Sequence, residues 1–332
     1  MDGSRAAHEL TRIRWFGLIA IGMVVLTVSI AVAVHLGPVP TDHPRTVATI
    51  LWHIRLPRAL VAILVGWALG LAGALYQGML RNPLAEPYLL GISGGAALGV
   101  TLALMYAWTL PWIRIYWPTV GAFTGALGAT AVIYRLAQVR GHLPVHALIL
   151  AGVVVNAIAG AIVLGLTVLQ EYFRVQQVAL WLMGHIQPVH YPMITGAALW
   201  TVVWTAGTWW DAPRLNLLIL GEDTVHVMGL NPDRLRRRWL VFGAALTAMS
   251  VALAGMVGFV GLIVPHAMRL WVGSDFRRLL VASAFGGALL VLWADTCARI
   301  LWYPREVPVG ILTATLAGPY FLWQLRRTLV RE

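Results

Sequence analysis

Long apolar runs alternate with short polar knots along the chain, and the runs have the length of membrane-crossing helices. They lie near residues 15–36, 58–80, 91–108, 115–136, 146–169, 191–209, 239–258, 259–272, 279–301 and 308–325. A helix rises ~1.5 Å per residue, so about 20 apolar residues cross a hydrocarbon core of ~30 Å. The ten runs predict an all-α polytopic membrane protein of about ten transmembrane helices, in a single domain over residues 1–332. The 259–272 run is too short to cross unless it is partial or tilted. An even number of crossings puts both termini on one side. The first run exceeds the ~7–15-residue apolar core of a signal peptide and has no clear small-residue cleavage site, so it reads as a retained span.

The polar knots predict what joins the spans. RNPLAEP at 81–87 carries two prolines and cannot continue a helix. Residues 37–54, with three prolines and two histidines, read as an outer loop, and 170–190 as a short outer helix. The longest polar stretch, 210–238, contains an amphipathic segment at 222–230, closed by Gly229 and Asn231-Pro232. A weak repeat relates LAG at 71–73 and Pro83 to LAG at 253–255 and Pro265, a shift of 182 residues and five spans. An odd number of spans reverses direction, so the repeat predicts inverted halves.

Composition sharpens the picture. Hydrophobic residues make up 59% and charged residues 11%, against about 25% charged in soluble domains. The net charge of +11 lies in connectors between apolar runs rather than on one soluble face, which argues against nucleic-acid binding. With the N-terminus inside, 17 arginines fall on the inner side and 7 on the outer, among them Arg45, Arg114 and Arg305. That split obeys the positive-inside rule with both termini cytoplasmic. The chain has no lysine at all, which excludes a Walker A phosphate loop. If ATP drives the protein, a separate chain must bind it. Cys297 is single, so it forms no intrachain disulfide and reads as packing. No paired-cysteine or HExxH pattern occurs, so no metal cofactor is expected.

Several of these stretches carry a resemblance. RLPR at 55–58, RNPLAEP at 81–87, GISGGAALG at 91–99, GFVGLIVPHAMRL at 258–270, the ADTCAR run at 294–299 and EVPVGILTATLAGPYFLW at 306–323 are similar to the FecCD or cobalamin-permease family. That family supplies membrane subunits of ATP-driven importers for haem, ferric siderophores and cobalamin. The resemblance implies a non-enzymatic permease of the bacterial inner membrane. It implies as partners a second copy of the chain, two cytoplasmic ATPase subunits that bind the ATP and Mg, and a periplasmic substrate-binding protein.

It also implies site residues. Arg55, Arg58 and Arg299 match arginines that pair with glutamates of the binding protein. The 210–238 stretch matches the ATPase-coupling loop, assigning coupling to Glu222, Asp223, Thr224, His226, Met228, Gly229 and Leu230; the 225–227 stretch lacks the small residue of the family pattern. Asn82 and Leu84 match a cytoplasmic gate, and His146 stands where a small polar residue is usual. The fifth and tenth spans would line the pathway, with Asn156, Thr313 and Thr315. Arg174 is the candidate for a haem propionate, with His185 and His190 nearby.

Charges inside spans are costly and need a reason. Asp295 and Arg299, four residues apart, can neutralise each other on one helix face. His266 and Arg269, after Pro265, are placed to satisfy backbone freed at a helix break. The leading reading is a haem or iron-chelate importer permease. Siderophore or cobalamin cargo is the nearest alternative, and an ion-coupled secondary transporter a remoter one. The latter needs unpaired carboxylates within spans, and an intramembrane enzyme needs a catalytic constellation that the chain lacks.

Overall fold

A computed structural model describes residues 2–37, 43–106 and 116–329. Arg114 and Arg331 lie outside them. Thirteen α-helices follow in order: α1 (Asp2–His35), α2 (Pro44–Thr49), α3 (Leu56–Leu80), α4 (Ile92–Tyr106), α5 (Trp117–Ala137), α6 (Val145–Val168), α7 (Tyr172–Leu182), α8 (Tyr191–Leu220), α9 (Glu222–Val227), α10 (Pro232–Ala254), α11 (Val260–Val272), α12 (Phe276–Ile300) and α13 (Val309–Leu329). Each of the ten apolar runs is helical. Six helices are long and apolar enough to cross a membrane, and α4, α11 and the described apolar part of α13 are shorter.

Two connectors differ from expectation. The 37–54 outer loop is largely helical: α2 passes through a π-helical turn at Ile50–Arg55 directly into α3. The 210–238 stretch is also no open loop, because α8 continues through Pro213 to Leu220 and α10 starts at Pro232.

Helix α3 is the axis of the bundle. Its small residues let neighbouring backbones touch, which is how helices associate where lipid removes the hydrophobic advantage. A Cβ on Gly66 would lie 2.1 Å from the Gly287 carbonyl oxygen of α12, and one on Gly73 would lie 2.0 Å from that of Gly261 in α11. Helix α3 also packs on α10 and α8. It ends before its prolines: Arg81 adopts a left-handed conformation (φ 49°), and Asn82 and Arg81 donate their amides to the Gln77 and Gly78 carbonyls. This is the Schellman closure that satisfies terminal carbonyls.

The packing repeats. Helix α3 lies on α12 as α10 lies on α5, α4 on α5 as α11 on α12, and α6 on α5 as α13 on α12. The packing order of α3–α6 is thus repeated in α10–α13. The 182-residue register is not the structural one, since Gly73 lies inside α3 whereas Gly255 caps α10.

The short α11 is a half-helix. Thirteen residues at ~1.5 Å each reach about 20 Å. Its start is held inside the protein by Glu86, whose carboxylate accepts the Phe259 amide at 2.7 Å. A carboxylate suits the positive end of a helix. Phe259 is itself left-handed, with φ 68°, a conformation costly for a bulky residue unless its surroundings impose it.

Candidate functional site

One end of the bundle carries a buried ion cluster. Asp295 of α12 is 1% exposed. Arg58 of α3 grips it through Nε at 3.0 and 3.1 Å and through a terminal nitrogen at 2.9 Å. The remaining terminal nitrogen of Arg58 donates to Glu306 at 2.5 Å. Arg299 stands 3.5 Å from Asp295 and donates to the Ala33 carbonyl at 3.1 Å. Arg55 donates to the Val34 and Gly37 carbonyls, both at 3.2 Å, closing the end of α1.

These contacts give the three arginines named for docking partners within the chain as well. Arg55 and Arg58 are 7% and 5% exposed and, like Arg299, spend their donors inside the chain. Asp295 has its main partner across helices, in Arg58, and Arg299 is secondary. Arg45 and Arg305 are the outer arginines that stand exposed. Cys297 is exposed as well, rather than packed.

Three pathway residues also turn inward. Asn156 receives the Gly94 amide at 2.8 Å and donates to the Tyr88 carbonyl at 3.0 Å, pinning α6 to the 3-10 turn Pro87–Leu90. Arg174 donates through one terminal nitrogen to the Leu104 and Met105 carbonyls at 3.2 and 3.1 Å, satisfying the open end of α4. Thr313 is 3% exposed and bonds the Gly310 carbonyl. It lines an apolar cavity of about 270 Å³ with Phe259, Ile263, Leu290 and Leu316. Thr315 alone of the four is exposed, its hydroxyl turned back to Ile311. His185 is half-buried, where desolvation and then the Arg58 charge hold its imidazole below the ordinary pKa and so neutral; His190 precedes α8 and is exposed.

Among the residues expected at a gate, Asn82 folds onto its own turn, its side-chain oxygen accepting the Leu84 amide at 2.9 Å. Leu84, 42% exposed, and His146 face outward. Behind them, Pro265 lacks the amide that the Gly261 carbonyl requires. Gln77, 2% exposed, donates to the Leu262 and Gly261 carbonyls at 3.0 and 3.5 Å and receives Arg269 at 3.4 Å. Gln77, oriented by Arg269, therefore takes part in the repair expected of His266 and Arg269.

The opposite end carries α9. Gly221 (φ 132°) and Gly229 (φ 73°) flank this six-residue helix. Val225 is fully buried in the core, while Val227 and Met228 are 87% and 62% exposed. The missing small residue is thus replaced by a larger one that packs inward. Glu222, Asp223, His226 and Gly229 are exposed, and Thr224 and Leu230 are half-buried. The end is braced by Asp211 of α8, 2% exposed, which accepts Trp239 at 2.8 Å, Arg238 at 2.9 Å and Arg214. Gln77, Glu306, Asp211, Asp233 and Arg236 were not singled out one by one in the sequence; Asp211, Asp233 and Arg236 lie in the 210–238 stretch and Glu306 in the 306–323 motif, while Gln77 had only its polarity within an apolar run as a signal.

The FecCD transport family model matches residues 12–327. The hemin transport permease HmuU of Yersinia pestis is 43% identical over 282 residues, covering 83% of this chain and 84% of that one. The vitamin B12 import permease BtuC of Klebsiella pneumoniae is 37% identical over 325 residues, covering 95% and 94%. A solved structure described as an inward-facing metal-chelate type ABC transporter superposes with a TM-score of 0.84 at 28% identity, covering 95% of this chain and 99% of that one. Six long apolar helices with three shorter ones, a glycine-flanked helix at one polar end and these matches across nearly the whole chain place it in the FecCD transport family of ABC-importer permeases.

Proposed function

We propose that this permease imports haem or a related iron chelate across the bacterial inner membrane. It works as a pair of identical subunits with two cytoplasmic ATPase chains and a periplasmic binding protein, and both termini are cytoplasmic. The observation that carries the coupled mechanism is α9. Exposed valine and methionine beside acidic residues on a glycine-flanked helix form an apolar knob with a polar rim, as an interface core requires. Nucleotide chemistry belongs to the partner chain. The permease contributes differential contacts between outward- and inward-open states.

The pairing is supported by α6, of which only 22% is buried. Leu150, Val153, Ile158 and Leu164 are 51–69% exposed along it, a bare apolar face that lipid or a second copy must cover. Arg45 and Arg305, exposed in the structure, join Arg55, Arg58 and Arg299 as candidate cations for carboxylates of a binding protein; such rim pairs set on-rate more than affinity.

Haem is favoured by the likeness to the hemin permease, with Arg174 as the candidate partner of a propionate. Cobalamin is the second reading, favoured by the likeness to the B12 permease. The test is uptake into liposomes by the complete complex, with the binding protein loaded in turn with haem, a ferric siderophore and cobalamin. ATP-dependent uptake of haem supports the reading. Uptake of cobalamin or siderophore instead overturns the cargo, and uptake without ATP overturns the mechanism.

A further inference from the structure

We infer that Arg236 is a positioning residue that ties the coupling helix α9 to the start of α6, so that displacement of α9 is passed to the turn beside the gate. The inference rests on the coupling role of α9 proposed above.

Arg236 lies in the first turns of α10 and is 5% exposed. Its guanidinium is shared between two carboxylates. One terminal nitrogen bonds Glu222, the first residue of α9. The other stands 3.6 Å from Asp233. Asp233 in turn accepts the Leu143 amide at 2.9 Å and meets the His142 ring at 2.9 Å. Residues 142 and 143 directly precede Pro144, the N-cap of α6. A planar fork can serve two carboxylates at fixed angles, which an ammonium cannot.

The chain of contacts continues. Asn156 of α6 holds the Tyr88 carbonyl, the Tyr88 hydroxyl accepts the Val257 amide at 3.2 Å, and Glu86 accepts that of Phe259 at the start of α11. At the other end, α9 is flanked by the two positive-φ glycines and held by the buried Val225. Among the described residues, Glu222–Arg236 is the ion pair joining α9 to the bundle. Spatial continuity alone does not establish coupling, so the test must read coupling itself.

The experiment uses the complete complex in liposomes and measures cargo imported per ATP hydrolysed. The variants are Arg236→Gln, Arg236→Lys and Asp233→Asn, with Arg234→Gln as an exposed neighbour. Expected is assembly and ATP hydrolysis near the wild-type level with cargo per ATP down at least about fivefold in Arg236→Gln, the low end of ordinary coupling energies. Arg236→Lys, which keeps the charge without the fork, and Asp233→Asn, which keeps the Leu143 acceptor without the charge, fall between; Arg234→Gln is unchanged. Parallel loss of hydrolysis and transport, loss of assembly, or no loss at all overturns the inference. Wild-type uptake and release of the ATPase by Met228→Asp are read in the same assay. If those two fail, the coupling reading fails; if they hold and Arg236→Gln is indifferent, only this inference does.

Discussion

Arg58 and Asp295, 237 residues apart, meet in a buried pair with hydrogen bonds of 3.0 and 3.1 Å that joins α3 to α12 at one end of the bundle. Removing one partner leaves the other with only its secondary contact, Asp295 with Arg299 or Arg58 with Glu306, and a buried charge left wholly unpaired would cost about 3–5 kcal/mol. Arg58→Met and Asp295→Leu are each expected to lower the midpoint of thermal unfolding in detergent sharply. The double variant, apolar on both sides, recovers much of the loss. Equal loss in single and double variants would refute the pairing as the cause.

Gln77 answers for the Gly261 carbonyl that Pro265 leaves open, and bonds the neighbouring Leu262 carbonyl as well. Gln77→Leu keeps the bulk and removes the donor, so an unsatisfied buried acceptor costs about 1–3 kcal/mol. The matching gain is expected from Pro265→Ala in the Gln77→Leu background, where α11 supplies its own amide. A thermal-unfolding cycle over the four proteins measures this, and strict additivity would count against the assignment.

Gly66 and Gly287 face each other with no room between backbones. A methyl on Gly66 would lie 2.1 Å from the Gly287 oxygen, so α3 and α12 must part. Gly66→Ala is expected to cost more than the ~1–3 kcal/mol of ordinary overpacking, and Gly128→Ala, where a Cβ meets open space, is expected to be silent. Detergent-resistant yield on size exclusion distinguishes the two.

Glu86 lies in the turn after α3, where burial raises its carboxyl above the ordinary range and the Phe259 amide offsets part of that rise. A raised carboxyl favours the protonated form in the fold, so the group stabilises at low pH and that contribution is lost as pH rises through the folded-state pKa. Glu86→Gln keeps an acceptor for Phe259 and is neutral throughout. Its stability relative to wild type is therefore expected to grow from acidic to alkaline buffer. A relative stability that falls with pH would show the carboxylate to be the favoured form.

Much of this molecule was legible one residue at a time. Ten apolar runs, the partial span at 259–272, the turn after α3 and the short outer helix at α7 follow from run length and from proline placement, because the bilayer demands internal hydrogen bonding of any crossing segment. The arginine bias and the absence of lysine likewise belong to the chain alone. The α9 knob was visible as an amphipathic stretch between breakers, although not which of its residues face in.

What tertiary structure decided is the partnership of each polar side chain. Asp295 reads in sequence as the partner of Arg299, four residues away, yet Arg58 takes it from another helix with better geometry. Arg174 and Asn156 read in sequence as residues for cargo, yet α4 and the Pro87–Leu90 turn present open carbonyls and an amide that bind them as well. The physical reason is the same in each case. In an apolar bundle every donor and acceptor must be satisfied within the protein, and which group satisfies which depends on distances between helices that no local pattern encodes.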